Sequence, residues 1–359
     1  MIKSGNEVTN AILKPNEILI GLQLLRAIAA LLVVFYHTGK LIDLKGGNNS
    51  SFFSYFDFGQ IGVQLFFMVS GYIILFVHFR DFGKPETLFR YSFKRAARIY
   101  PLYLLVTLPL VLGCFNDVSC GAPYHHTFET LIKSIFLFPE NHSPYLGVAW
   151  TLTHEVFFYL SISIFILSRR VGTMYFTLWL LGIIVFQLFI SDTNYPDSSQ
   201  YFPASFIFSS NNIFFFIGMF CYLSSNIFVR FINLKMFIFG LVLIPLYALA
   251  SRIEYFKDLS IIILVFAGFL MLLSSNQVNP NKILEPLLLI GNASYSIYLI
   301  HNPIFGQIIP MGAAYGAMNY PSLFGFLIIV VVLVAGVAIH LFVEKPIFAV
   351  SRILLRRIL

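Results

Sequence analysis

Ten apolar stretches of membrane-spanning length dominate this 359-residue sequence, at about 18–38, 59–79, 99–115, 146–167, 174–191, 204–224, 235–251, 259–274, 287–305 and 322–343. Crossing the hydrocarbon core takes roughly 20 predominantly apolar residues in a helix. Within lipid the backbone has no water to bond, so each stretch is expected to be an α-helix. The third, seventh and eighth stretches are the shortest. Composition agrees: 58% of residues are hydrophobic and only 11% charged, far from the balance of a soluble domain. The expected fold is an all-α membrane protein, a bundle of about ten transmembrane helices. Residues 18–343 would form the transmembrane domain, 1–17 a cytoplasmic N-terminal segment and 344–359 a basic, amphipathic cytoplasmic tail. No internal repeat is evident.

An even number of spans places both termini on one side, and the basic residues choose it. With cytoplasmic termini, seventeen of the 23 Lys and Arg fall in inner segments, five fall outside and Arg26 lies within a span. That asymmetry is the positive-inside pattern and predicts a multi-pass protein of the cytoplasmic (inner) membrane. The formal net charge of +7 is therefore topological, and no nucleic-acid partner is expected. The segment Ser191 to Gln200 carries Asp192 and Asp197 without a base, as suits an exported loop. Met1 to Glu17 is polar and lacks the apolar core of a cleavable signal. The tail Ala349 to Leu359 mixes bases with Ile and Leu, a pattern for a helix on the inner leaflet in contact with membrane lipids.

Against this apolar background the ionisable residues stand out, because each is costly inside a span. Arg26 and His37 share the first span. Eleven steps of about 100° come within roughly 20° of three turns, so the two share one face, about 16 Å apart along the helix. Lys94, Arg95 and Arg98 form a cationic face before the third span, and planar guanidinium groups suit phosphate. The plainer reading of these bases is a positive-inside anchor. Ser70 lies in Phe67-Met68-Val69-Ser70-Gly71-Tyr72, where small residues favour close helix packing. Glu155, on a face with Thr151 and Tyr159, must be paired, protonated or wet at its depth. His154-Glu155 lacks the second His of a zinc protease, since position 158 is Phe. Tyr295, Tyr298 and His301 recur at helical spacing in the ninth span, as a packing seam or as the lining of a polar cavity. Glu344-Lys345-Pro346 reads as a structural stop. Cys114 and Cys120 could pair if the outer compartment is oxidising, whereas Cys221 reads as packing. No metal-ligand spacing is present.

In this order, these clusters resemble the acyltransferase-3 family of integral membrane acyltransferases. The carriers are Arg26 with His37, Phe67 to Tyr72, Arg95-x-x-Arg98, Trp150 to Tyr159, Tyr295 to Pro303 and Glu344 to Pro346. The stretch Gly21 to Ala30 looks closest to members that acetylate exopolysaccharide or O-antigen. The resemblance implies an O-acetyltransferase that moves an acetyl group from cytoplasmic acetyl-CoA, with no metal, to an extracytoplasmic or lipid-linked glycan. Some members carry an extracytoplasmic esterase-like domain; its lack here implies a single component or a partner on a separate chain.

On that resemblance His37, Glu155 and Arg26 are the expected catalytic residues. His37 would be general base or transient acyl carrier, because an unperturbed imidazole titrates near 6.5. Glu155 would orient His37 or act as the base. Arg26 would stabilise the oxyanion or hold part of CoA. Arg95, Arg98, Lys94, Arg26 and Ser70 would bind the donor, and Tyr295, Tyr298, His301, Trp150 and Tyr159 the acceptor. The competing reading is a secondary transporter or flippase, since aligned polar groups also describe a translocation path.

Overall fold

The computed structural model describes residues 15–46, 51–115, 127–189, 201–228, 232–253, 257–278 and 282–358. Among them there is no strand. The principal helices are α1 (Pro15–Gly46), α2 (Ile61–His78), α3 (Leu88–Phe115), α4 (Phe128–Phe136), α5 (Trp150–Leu167), α6 (Arg169–Phe189), α7 (Ile213–Phe228), α8 (Leu234–Ala250), α9 (Lys257–Leu273), α10 (Glu285–Asn292), α11 (Ser294–Ala314), α12 (Pro321–Ile339) and α13 (Lys345–Ile358). A π-helical turn, His340–Glu344, joins α12 to α13.

The all-helical architecture is as expected, but the spans are less uniform than ten equal stretches. Among the described residues, seven helical runs are long and apolar enough to cross a membrane. An eighth results if α10 with its lead-in and α11, bent by 63° at Ala293, form one crossing. Leu234–Ala250 and Ser260–Leu273 are apolar but shorter, and they correspond to the short seventh and eighth stretches of the sequence. The third stretch is longer than it reads. Its helix starts at Leu88, so the cationic face of Lys94, Arg95 and Arg98 is continuous with the helix of the span.

The first helix is the axis of the bundle. It packs against α2, α10, α11 and α12, and Leu25, Ala27, Ala29 and Ala30 are completely buried. Small residues there let four neighbours approach at van der Waals distance, which drives helix association where lipid offers no hydrophobic force. The same logic governs the α2–α7 contact. A Cβ at Gly71 would fall 2.1 Å from the Phe215 carbonyl oxygen, and one at Gly218 would fall 1.9 Å from that of Met68. The close packing expected around Ser70-Gly71 is thus real, and it turns Ser70 toward the interior. Leu160, Leu178, Phe326 and Leu327 are exposed on the outside of the bundle, where lipid is the solvent.

Cys120, and with it the expected Cys114–Cys120 pairing, lies outside the described residues, as does the exported loop Ser191 to Gln200. Cys221 is buried, in keeping with packing.

Candidate active site

Helices α1, α2, α3, α5 and α11 surround one internal cavity of about 300 Å³. Arg26, Ser70, Arg95, Arg98, Thr151, Glu155, Tyr159, Tyr295 and Tyr298 line it. Five separate stretches of sequence thus deliver their polar residues to one place.

Glu155 is the acidic centre of the cavity. Its Oε1 accepts hydrogen bonds from the Ser70 hydroxyl at 3.0 Å and from the Tyr159 hydroxyl. Tyr159 is one turn along the same helix, the spacing at which side chains meet. His37 is not among the hydrogen-bond partners of Glu155 in the described residues. Arg26 lies within electrostatic reach of Glu155, Glu344 and Arg98. Its Nη1 is 3.5 Å from Gln23 Oε1, and it is partly accessible through the cavity.

Two arginines close the cavity at its other end. Arg98 donates to Glu344 Oε1 at 3.1 Å, and its guanidinium lies 5.5 Å from the Tyr295 ring centre and 5.2 Å from that of Phe348. Glu344 is buried to 1% exposure and also engages Ser296 and His340, each at 2.7 Å. The π-turn widens the helix here and rotates Glu344 inward, a distortion that recurs at functional sites. Glu344 is thus an internal partner of Arg98, Ser296 and His340 as well as the end of a span, a role that Glu344-Lys345-Pro346 does not disclose as a sequence. Arg95 is less committed. Its Nη2 is 3.4 Å from His78 Nε2, its guanidinium stands 5.5 Å from the Tyr159 ring centre, and its Nε is buried without a partner among the described residues. His78 is itself held through Nδ1 by Asp81 at 2.8 Å. Asp81, His78 and Arg95 thus form a relay that fixes one guanidinium with donors to spare.

The remaining expected residues divide. Tyr295 donates to the Ile99 carbonyl at 2.7 Å. Tyr298 shares a 2.9 Å hydrogen bond with Thr151, and Phe66 packs on its ring edge-on at 5.9 Å. His37 and His301 do not line the cavity. They lie beyond Tyr298, whose ring centre is 5.6 Å from that of His301, and the two imidazoles are 5.0 Å apart. Lys94 lines a separate groove on the other side of Arg95 and Arg98. Trp150 lines neither the cavity nor that groove and packs edge-on against His154, whose Nδ1 is 2.8 Å from Asn212 Oδ1. Ser294, the first residue of α11, adds a buried hydroxyl to the cavity wall with no partner among the described residues. In sequence it is only a small polar residue beside Tyr295, with nothing in its spacing to single it out.

The tautomers of the histidine pair follow from their partners. His37 Nδ1 is 3.0 Å from the Val33 carbonyl oxygen, and His301 Nδ1 is 2.7 Å from that of Tyr298. A carbonyl only accepts, so in both neutral rings Nδ1 carries the proton and Nε2 holds a basic lone pair. The His301 Nε2 is buried and unpartnered among the described residues. The arrangement offers guanidinium donors at one end, a carboxylate in the middle and two imidazole bases past a tyrosine at the other.

Residues 19–340 match the acyltransferase domain family Acyl_transf_3. Three curated proteins are similar. The exopolysaccharide production protein ExoZ of Rhizobium meliloti (strain 1021) is 31% identical over 111 residues, covering 29% of this chain and 33% of that protein. The putative acetyltransferase ORF330 of Acidianus two-tailed virus is 28% identical over 290 residues, covering 77% of this chain and 80% of its own. Nodulation protein 10 of Rhizobium leguminosarum bv. viciae is 29% identical over 160 residues, covering 39% of this chain and 42% of its own. The chain thus spans only a third of the exopolysaccharide protein it matches. No solved structure gives a significant match.

Proposed function

The chain belongs to the acyltransferase-3 family and is a membrane acyltransferase, and on that premise we propose that it carries an acetyl group from cytoplasmic acetyl-CoA to a hydroxyl of an extracytoplasmic or lipid-linked glycan. The observation that carries this reading is the single cavity in which Arg95 and Arg98, Arg26, Ser70 and Glu155 converge, with His37 and His301 past its far wall. Similarity to proteins named for exopolysaccharide production and acetyl transfer supports a surface polysaccharide as the acceptor.

In this reading the protein sits in the inner membrane with both termini cytoplasmic. The two short apolar helices and the bent α10–α11 pair complete ten crossings beside the seven long runs. Arg95 and Arg98 then lie at the cytoplasmic end and hold donor phosphates, for which arginine offers paired donors. The pantetheine arm runs through the cavity past Arg26 toward Tyr298. His37 Nε2 takes the proton of the acceptor hydroxyl, and the oxygen attacks the thioester carbonyl. The tetrahedral intermediate expels CoA thiolate, which is then protonated, and the acetyl ester is left on the glycan. Arg26 steadies the negative charge of the donor end as the thioester advances. Glu155, through Ser70 and Tyr159, holds the cavity wall polar and open. Tyr298 must swing off Thr151 for thioester and imidazole to meet.

Mass spectrometry of surface polysaccharide from cells with and without the gene tests the reading. One class of sugar should lose the mass of an acetyl group when the gene is absent. An unchanged acetylation pattern would overturn the assignment.

A further inference from the structure

A second cavity adjoins the first at its arginine end and shares Arg95 and Arg98 with it. It is a groove of about 380 Å³ between α3 and the C-terminal helix α13. Lys94, Arg95 and Arg98 form one wall; Phe348, Ser351 and Arg352 contribute to the other. Those three residues of α13, with Leu355, fall at helical spacings of three and four, so one face of the helix turns to α3. Leu355 is buried against it, and Phe348 covers the Arg98 guanidinium. The groove is therefore held open by packing and does not depend on a ligand to form.

Four cations line this groove, and none of its lining residues is acidic. Glu344 offsets Arg98 from within the bundle. Among the described residues, neither Lys94 nor Arg352 forms an ion pair. The Nε of Arg352 donates to the Phe348 carbonyl at 3.3 Å, which aims the guanidinium and leaves its terminal N–H groups unspent. Four uncommitted or half-committed cations in one concavity repel one another unless a polyanion joins them. The groove also shares Arg95 and Arg98 with the central cavity, so a ligand seated in it can extend directly toward Arg26 and Glu155.

We propose that this groove seats the phosphate-bearing nucleotide end of the acyl donor, and that Arg352 of α13 is a phosphate ligand together with Lys94 and Arg95. The C-terminal helix then closes the donor site as well as lying at the inner surface. The proposal deepens the reading of the chain as an acyl-CoA enzyme and rests on it. Arg356 and Arg357, exposed on the same helix and lining neither cavity, serve as controls for a purely membrane-anchoring role.

The test measures CoA binding to the full chain in nanodiscs, one set of phosphatidylcholine alone and one containing phosphatidylglycerol. Arg352→Gln should weaken CoA binding about tenfold in both sets, the loss of one charge-assisted phosphate contact. Arg352→Lys should recover part of it, and the double variant Arg356→Gln/Arg357→Gln should bind as wild type does. If Arg352→Gln binds CoA like wild type while Arg95→Gln does not, the donor reading stands and the role of Arg352 is overturned. A loss confined to the phosphatidylglycerol set would make the groove a lipid headgroup site and overturn the proposal. Wild-type protein that binds no CoA in either set would overturn the donor reading and the proposal with it.

Discussion

His37 and His301 face each other with ring centroids 5.0 Å apart, each with Nδ1 committed to a backbone carbonyl one turn away. Helices α1 and α11 meet along this contact, so the basic Nε2 of each ring is positioned by packing and by a fixed tautomer. Two neutral imidazoles in one apolar setting do not both become cations. A proton taken by one is therefore shared with, or resisted by, the other.

His301 should accordingly matter to turnover more than to donor binding. His301→Ala is expected to lower kcat by about a hundredfold, within the range of a lost acid–base partner, while the KM for acetyl-CoA changes little. Steady-state kinetics on purified protein checks this. An unchanged kcat would assign His301 to packing alone.

The Arg98–Glu344 pair joins residues 246 positions apart in sequence and ties the arginine end of the cavity to the π-turn that follows α12. Glu344 has 2% side-chain exposure and Arg98 has 30%. Breaking a buried pair by removing one partner costs about 3–5 kcal/mol. The accessible edge of Arg98 argues for the lower end, about 3 kcal/mol for Glu344→Ala. Arg98→Leu/Glu344→Leu should recover much of that loss in a double-mutant cycle read by unfolding in detergent. A loss of stability that is additive in the double variant would show that the two residues are not coupled.

Glu140 lies outside the spans, between α4 and α5, at 4% exposure. Burial pushes its carboxyl up to about 7, against the opposing pull of Lys133 and the Ser134 hydroxyl. The unfolded chain ionises near the ordinary value of 4.5. Across that window the folded form keeps a proton that the unfolded form has lost, so this residue's contribution to stability falls as pH rises. Glu140→Gln, which stays neutral, should gain on wild type in melting temperature between about pH 5 and about pH 8. Parallel thermal melts at the two pH values check the sign, and a gap that narrows would contradict it.

Much of the site is legible in the sequence because its residues break a strong pattern. Arg26, Arg95, Arg98 and Glu155 are costly in apolar helices, and all four meet at one cavity. The helical alignment of Arg26 with His37 reads equally well, yet a shared face does not mean a shared compartment. Arg26 lines the cavity, whereas His37 lies past Tyr298 against His301. Side chains of other helices decide that division, and no periodicity in α1 reports them. Glu344 reads as a stop because Glu-Lys-Pro is a plausible helix terminus. Its burial depends on a π-turn and on Arg98, both of which are long-range or subtle in sequence. Trp150 illustrates the converse: its neighbour Thr151 turns to the cavity, while Trp150 packs on His154. The span count blurs for a related reason, since α8 and α9 are short and the α10–α11 crossing is bent by 63°.

Acetyl transfer from radiolabelled acetyl-CoA to endogenous glycan, measured in membranes carrying wild type or His37→Ala at equal amounts of folded protein, tests the central claim most directly. Wild-type membranes should label the glycan and His37→Ala membranes should not. Equal labelling by the two, or no transfer by wild type, would contradict it.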